Sequence, residues 1–319
     1  MKELSIIIVN WNVCALLRQC LRSIYVTRGR LALEVIVVDN ASCDDSVRMV
    51  RSEFPEVQLI ASDTNLGFPK AVNQAIPLCK GDFVLFLNPD TVVQPGTLEK
   101  SVNFLQKHAE FGVLGCKLLY EDGRVQYEGA RNFPALWAIF LERMYLHMLF
   151  PRSRFFALSD MGHWDHDDDR EVPAISGAFM LLRRAALQEV APLDELMFFE
   201  DIDLCYRLRA AGWRIYYLAS AVTTHFSGKS CEQSEADLWL LSGEVRYRFF
   251  RKHKGVLQAE TCRLIFLFGS MFRLILGLVL YPVVVPFSHR SRFGRLFNLR
   301  QHIGLILWSL GLAAPVLGR

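Results

Sequence analysis

The sequence predicts an α/β fold, a mostly parallel sheet flanked by helices, followed by an apolar and basic helical tail. Three observations carry this. Short β-branched runs alternate with helix-period segments four times within the first 90 residues. Each run ends in, or is soon followed by, Asn or Asp. Two long apolar stretches lie beyond residue 263. Alternating strand and helix is the pattern of a parallel sheet covered by helices.

The elements follow in order. "LSIIIVN" (Leu4–Asn10) is too short to span a membrane and suits a buried strand. "CALLRQCLRSIYV" repeats apolar residues at helical spacing, and "LEVIVVDNAS" (Leu33–Ser42) is a second strand with a polar end. "SCDDSVRMVRSEF" opens with capping residues and predicts a helix. "VQLIAS" is a third strand, followed by the loop "DTNLGFPK" and a helix "AVNQAIPLCK". "DFVLFLNPD" is a fourth strand ending in Asn88-Pro89-Asp90. "GVLGCKLLYEDGRVQYEGA" predicts strands joined by a turn at Asp122-Gly123. "PALWAIFLERMYLHMLF" (Pro134–Phe150) predicts an apolar helix or lid, and "SDMGHWDHDDDREVP" a solvated, mobile loop rather than a metal site. "AISGAFMLLRRAAL" passes from strand to helix, "FFEDIDLCYRLRAAGW" is helical, and "WRIYYLASAVTTHFSG" is a strand that delivers His225.

The 319 residues suffice for one large domain or two intimate ones. A hydrophobic share of 52% and a mean hydropathy of +0.21 are high for a soluble enzyme. The net charge of +3 hides an asymmetry. From Arg246 to Arg319, 12 Lys/Arg face one acid, Glu260, so this part carries +11 and the rest −8. That balance argues against general nucleic-acid binding and fits a tail that meets an anionic membrane surface. The eight cysteines form no CxxC pair and read as reduced thiols of a cytoplasmic protein. No signal peptide is expected, because Met1–Ser5 lead directly into a strand. Leu264–Ser288 has the ~20 apolar residues that a bilayer requires, but Arg273 and Pro282 interrupt it. Ile303–Gly318 is shorter, and basic clusters flank the first segment on both sides. Positive charge marks the cytoplasmic side, so an in-plane or re-entrant helix is expected, with helices in a homodimer interface as the alternative.

In open α/β sheets ligands bind outside the carboxyl ends of the strands. Asn10 and Asn12, Asp39 and Asn40, Asn65, and Asn88 and Asp90 follow four successive strands and are expected to line one crevice. The chain has no GxGxxG and no GxxxxGK[ST], so the usual dinucleotide and P-loop readings lack support.

The ordered series "SIIIVNWN", "VVDNAS", "NLGFPKAVNQAI", "LNPDT", "SGAFMLLRR", "FFEDIDLCYRLRAAGW" and "HFSGKS" resembles bacterial family-2 glycosyltransferases. The resemblance is to the GT-A fold, near the rhamnosyltransferase and galactofuranosyltransferase branch, and covers residues 3–255. It implies a Rossmann-like nucleotide-sugar-binding half over residues 1–120, an acceptor and catalytic half over 121–250, and a membrane-associated helical tail over 251–319. The implied activity is metal-dependent, inverting transfer of a sugar, with rhamnose a candidate, from a nucleotide-sugar donor (a dTDP- or UDP-sugar) to a lipid-linked saccharide acceptor. The implied place is the cytoplasmic face of the inner membrane, peripheral or monotopic, in assembly of a surface polysaccharide. A departing diphosphate builds negative charge, which Mg²⁺ or Mn²⁺ offsets. Such ions take carboxylate oxygen with few protein ligands.

The resemblance also implies roles. Asp90 and His225 are the metal ligands. The family's paired acids read Asn88-Pro89-Asp90 here, so Asn88 is a weaker ligand candidate and more a hydrogen-bonding residue; the same triplet is also good turn chemistry. Asp39 matches the residue that binds the donor's pyrimidine base, with helix capping as the alternative. Asn65, Gly67 and Asn73 match the donor loop, where Gly67 allows a tight backbone, while Asn73 also reads as a surface amide. Lys229 assists the diphosphate, and Gly177 permits close backbone approach. Asp201 is the general base, and Glu200 orients the acceptor or is the alternative base. Asp203, four residues before Arg207, reads as an exposed helical ion pair. Two rivals remain. A sugar-phosphate nucleotidyltransferase needs a Gly-rich basic loop that "IIIVNWNVCALL" lacks, and an inactive membrane-bound scaffold would have lost residues such as Asp90, Asp201 and His225, all of which are present.

Overall fold

The computed structural model describes residues 3–159, 161–194, 199–226, 235–284 and 299–312. The chain begins β1 (Leu4–Asn10), α1 (Cys14–Thr27), β2 (Leu33–Asp39), α2 (Ser46–Glu53), β3 (Gln58–Ala61), α3 (Phe68–Ala75) and β4 (Phe83–Leu87). It continues with β5 (Thr91–Val93), α4 (Thr97–Lys107), β6 (Phe111–Leu119), β7 (Ala130–Arg131), α5 (Leu136–Arg143) and α6 (Leu146–Leu149). The later elements are β8 (Arg170–Glu171), β9 (Ala174–Ile175), β10 (Phe179–Arg183), α7 (Arg184–Val190), α8 (Glu200–Ala210) and β11 (Arg214–His225). Among the described residues three helices follow, α9 (Glu235–His253), α10 (Val256–Val284) and α11 (Leu299–Ser309). Two compact units result: Met1–Phe133 with Trp164–Glu232, and Pro134–His163 with Gln233–Arg319. The sequence reading placed its boundaries after residues 120 and 250. The apolar segment 134–163 instead groups with the C-terminal helices, because Ile139 of α5 shares a core with Phe250 and Phe266.

The first unit is built on a nine-stranded sheet in the order β3-β2-β1-β4-β10-β6-β11-β5, with β8 on β11. The expected parallel block is present: β1 pairs in parallel with β2 and β4, and β2 with β3. The inner strands β1 and β4 are buried along their length, as their unbroken apolar runs require, while the edge strand β3 is not. Leu17, Leu21 and Ile24 of α1, spaced three and four apart, join Ile6 and Ile8 in the core. β10 then enters antiparallel between β4 and β6, so the sheet is mixed. The three-residue β5 was not foreseen. It pairs antiparallel with the end of β11, and His225 stands opposite Thr91.

Two further details depart from the sequence reading. α3 begins at Phe68, inside the expected loop, because Pro69 fits a first helical turn where its missing N–H costs nothing. The acidic loop expected to be mobile is instead packed in its second half. Trp164 and His166 are buried and stacked at 4.0 Å, with Tyr217 edge-on to both. Asp167 pairs with Lys117, Asp168 with Arg170, and Asp169 accepts the Ala219 N–H at 2.7 Å. Rings that bury and acids that find partners outweigh the loop's polarity.

The second unit has its own core of Ile139, Phe250, Ala259, Cys262, Phe266, Leu305 and Trp308. Segment 134–150 is broken at Tyr145, whose φ is 61°. Arg273, read as an interruption of the apolar stretch, is buried. Its guanidinium donates to the carbonyls of Arg143, at 2.8 Å, and Glu142. It therefore satisfies open carbonyls at the end of α5.

The sequence treated Asp203 as exposed. It is fully buried, with Oδ2 accepting Arg207 Nε at 2.8 Å. Arg207 also donates to the carbonyls of Val190 and Pro192, so the pair anchors the chain that leads toward α8. The four-residue spacing was legible, but the burial was not. Replacing Asp203 with Asn should therefore cost about 2–3 kcal/mol in urea unfolding. A cost near the roughly 0.3–0.5 kcal/mol of an exposed helical pair would contradict this assignment.

Candidate active site

The parallel register sets the first contacts. Asn10 and Asp39 are partners at the carboxyl ends of β1 and β2. Asn10 Nδ2 donates to Asp39 Oδ1 at 2.8 Å, and the Ser42 N–H to Asp39 Oδ2 at 2.9 Å. Ser42 Oγ accepts the Asn12 N–H at 2.9 Å, and Asn12 Oδ1 accepts the Cys43 N–H at 2.7 Å. Asn12 itself has a φ of 55°, a conformation that Asn tolerates better than most residues. Asp39 does not cap α2. The cap position is Asp45, which makes no side-chain cap bond, while Asp44 before it accepts the Ser46 N–H through Oδ1 at 3.0 Å. Asn40 Nδ2 donates to Asn65 Oδ1 at 2.7 Å, and the same oxygen accepts the Gly67 N–H at 2.9 Å. Gly67 has φ 77° at the start of α3, where a side chain would be strained. The ends of the first three strands are thus tied by side-chain amides and carboxylates.

Asn73 lies outside that network. Its Nδ2 donates to Leu193 O at 2.9 Å and its Oδ1 accepts the Leu193 N–H at 2.8 Å. Both ends of the amide hold the segment before α8.

After β4 the chain turns through Asn88-Pro89-Asp90, closed by Thr91 Oγ1 donating to Asn88 O at 2.7 Å. Asp90 is 1% exposed, and among the described residues neither of its carboxylate oxygens accepts a hydrogen bond. His225 Nε2 stands 3.4 Å from Asp90 Oδ1, and Asn88 Nδ2 lies 3.4 Å from the same nitrogen. The β5–β11 ladder brings these together, since the Phe226 N–H donates to Asp90 O at 2.9 Å. His225 Nδ1 is 2.9 Å from Gln126 Oε1. A buried carboxylate without donors is costly. Two hard oxygens beside an imidazole are a donor set that suits Mg²⁺ or Mn²⁺ with the remaining positions left to phosphate and water. Among the described residues no group of three or more His, Cys, Asp or Glu forms a closed protein cage. Cys20, under this turn, is no competitor: burial pushes its thiol up to about 12. His225 opens onto a cleft of about 420 Å³ lined also by Tyr120, Glu121, Asp122, Arg124 and Phe226.

Asp201 is the second residue of α8 and is partly buried. Its Oδ2 accepts the Gly177 N–H at 3.1 Å and its Oδ1 the Ile202 N–H at 2.7 Å. A methyl group built on Gly177 would meet Asp201 Cβ at 3.6 Å, an ordinary contact. Gly177 therefore contributes its amide rather than its missing side chain. The next residue, Ala178, accepts the Asn88 N–H at 3.1 Å. Two consecutive residues thus link Asp201 to the turn that carries Asp90. Glu200 Oε2 accepts the Phe199 N–H at 2.9 Å, at the start of its own helix. Lys229 lies outside the described residues.

Gln126 is the polar residue that sequence reasoning missed. It sits in the expected hairpin "GRVQYEG", and no spacing or motif marks it.

A family model described as glycosyltransferase like family 2 matches residues 2–238. The N-acetylglucosaminyl-diphospho-decaprenol L-rhamnosyltransferase of two Mycobacterium tuberculosis strains is 28% identical over 237 residues, covering 70% of this chain and 76% of that protein. Rhamnosyltransferase WbbL of Escherichia coli K12 is 28% identical over 174 residues, 52% of this chain and 61% of that one. Among solved structures, the mannosyltransferase PcManGT of Pyrobaculum calidifontis, in complex with GDP-Man and Mn²⁺, superposes with a TM-score of 0.59. It does so over 97% of this chain and 87% of that one at 16% identity. GalNAc-T7 with UDP, GalNAc and Mn²⁺ gives 0.55 over 79% and 51% at 12% identity. At such identities the structures attest the fold, and the expected GT-A class stands. The family model spans well over half of the sequence, and the chain belongs to the family-2-like glycosyltransferases.

Proposed function

We propose that this glycosyltransferase moves a sugar from a nucleotide-sugar donor to a lipid-linked saccharide with inversion at the anomeric carbon, in assembly of a cell-surface polysaccharide. The observation that carries the reading is the Asp90 carboxylate, buried, without a hydrogen-bond donor among the described residues, and 3.4 Å from His225. Asp90 and His225 would hold Mg²⁺ or Mn²⁺, which offsets the charge of the departing diphosphate. Asp39, braced by Asn10, receives the donor base. Asn12, Asn65, Gly67 and Asn88 shape the donor crevice, and Lys229 adds positive charge for the diphosphate. Asp201 takes the proton of the acceptor hydroxyl as that oxygen attacks the anomeric carbon, and the nucleoside diphosphate leaves from the opposite face. Gly177 orients the Asp201 carboxylate. Glu200, engaged at its helix start, supports the loop. Asn73 positions the chain before α8 through Leu193. The Mycobacterium relative's printed name supports a rhamnose donor and a diphospho-lipid acceptor. dTDP- and UDP-sugars are therefore the first to screen, by released nucleoside diphosphate.

We place the second unit in the plane of the cytoplasmic membrane face, peripheral or monotopic. α10 is long and apolar enough to cross a membrane over Val256–Val279. Yet it buries Ala259, Cys262 and Phe266 in a protein core while Leu264, Phe268, Ile275 and Leu278 stay exposed. Those exposed residues recur at helical spacing and make one apolar stripe. A one-sided helix in a basic tail fits a surface better than a crossing.

Two outcomes follow. Asp201→Asn should lose about 10²–10⁴-fold in turnover while donor affinity, measured by titration, survives. Near-normal turnover, or a larger loss in Glu200→Gln, would move the base elsewhere. Phe268→Gln with Ile275→Gln should lower partitioning onto vesicles containing phosphatidylglycerol by more than about tenfold, since each buried apolar side chain is worth roughly 1.5–3 kcal/mol. Unchanged flotation with a lost dimer would assign the stripe to a second copy of the chain.

A further inference from the structure

Gln126 carries no reactive group, yet it is 3% exposed and its side-chain amide is fully engaged. Its Nε2 donates to His225 O at 2.6 Å and lies 3.4 Å from Leu119 O. Its own backbone N–H donates to Leu118 O at 2.8 Å, which fixes where the side chain starts. An amide nitrogen set between two carbonyl oxygens cannot be exchanged for the amide oxygen, because oxygen would then face oxygen. The orientation of this amide is therefore determined by its partners. Oε1 is the end that faces His225 Nδ1 at 2.9 Å, and an oxygen there can only accept. Nδ1 of His225 must carry the proton. In the neutral imidazole Nε2 is then a bare lone pair. That lone pair stands 3.4 Å from Asp90 Oδ1, an acceptor facing an acceptor. Asn88 Nδ2, a donor, lies 3.4 Å from the same nitrogen.

We propose that Gln126 is a positioning residue that presents His225 Nε2 to the divalent cation shared with Asp90, by fixing the tautomer and the ring orientation of His225 without touching the cation. The proposal rests on the metal reading above. Its physical content is a competition. Without Gln126, the imidazole is free to carry its proton on Nε2 and donate it to Asp90 Oδ1. The two side chains would then satisfy each other, and the cation would have to displace that bond. With Gln126 holding the proton on Nδ1, the neutral ring has no Nε2–H to give Asp90, and Nε2 is left to meet a cation. Partners of this kind behind a ligating histidine typically alter metal affinity by about 10–100-fold.

The test has two readouts on the full chain in detergent. The first is Mn²⁺ affinity in the presence of UDP, from the EPR signal of free Mn²⁺. Gln126→Met, similar in volume but without donor or acceptor, should bind about 10–100-fold more weakly. His225→Ala should be weakened at least as much. If His225→Ala binds normally, the metal reading itself falls. If His225→Ala is weakened and Gln126→Met is not, the metal reading stands and the role of Gln126 is overturned. The second readout is the ring-nitrogen chemical shifts of His225 in unsubstituted, metal-free protein at pH 7.5, which needs no variant to fold. Protonated Nδ1 with bare Nε2 is expected. A proton on Nε2 would overturn the proposal.

Discussion

The carboxylate of Asp90 is the constraint around which this molecule is arranged. It sits at the end of the central parallel strands, 1% exposed, and neither oxygen accepts a hydrogen bond among the described residues. Burying such a group costs several kcal/mol unless something cationic meets it. Among the described residues no lysine or arginine pairs with it. The surroundings offer an imidazole nitrogen at 3.4 Å and an amide behind it. On the proposed reading, a carboxylate in this condition would store binding free energy for a hard cation and for the diphosphate that would come with it. The fold tolerates the expense because the turn is held from three sides: by Thr91 within it, by Ala178 of the β10 approach, and by the Phe226 N–H of the β11 end.

The same connections give the chemistry its geometry. Asn88 hangs from Ala178, and Gly177 beside it holds Asp201. The proposed base and the proposed metal turn are thereby separated by a short path of hydrogen bonds through the Gly177–Ala178 turn that leads into β10. Sites on strand ends and helix starts hold their geometry better than sites on loops. Asn73 and Arg207 reinforce this from the other side, by clamping Leu193 and the carbonyls of Val190 and Pro192 ahead of α8.

How much of this was legible depended on whether a signal was local. The first four strands were readable because each is a short, mostly apolar run, and their polar ends followed directly. The antiparallel entry of β10 was not, since "FMLL" reads alike in either direction. β5 has three residues and no pattern to detect. The meeting of Asp90 with His225 is set by pairing between β5 and β11, and nothing near either residue encodes that register; the motif resemblance supplied it instead. Gln126 had no signal at all, because its role exists only once the hairpin folds against β11. Spacing revealed that Asp203 faces Arg207 but said nothing about burial. Arg273 was read as an obstacle to an apolar helix, although it closes the carbonyls of α5. Composition misled at Trp164 and His166, where neighbouring aromatic rings decide the packing of an acidic loop.

The most direct test of the central claim is anomalous diffraction at the manganese edge from crystals of the full chain grown with Mn²⁺ and UDP. The account predicts a single strong peak at bonding distance, about 2.1 Å, from an Asp90 carboxylate oxygen and from His225 Nε2. Manganese held elsewhere, with Asp90 and His225 still facing each other unliganded, would contradict it.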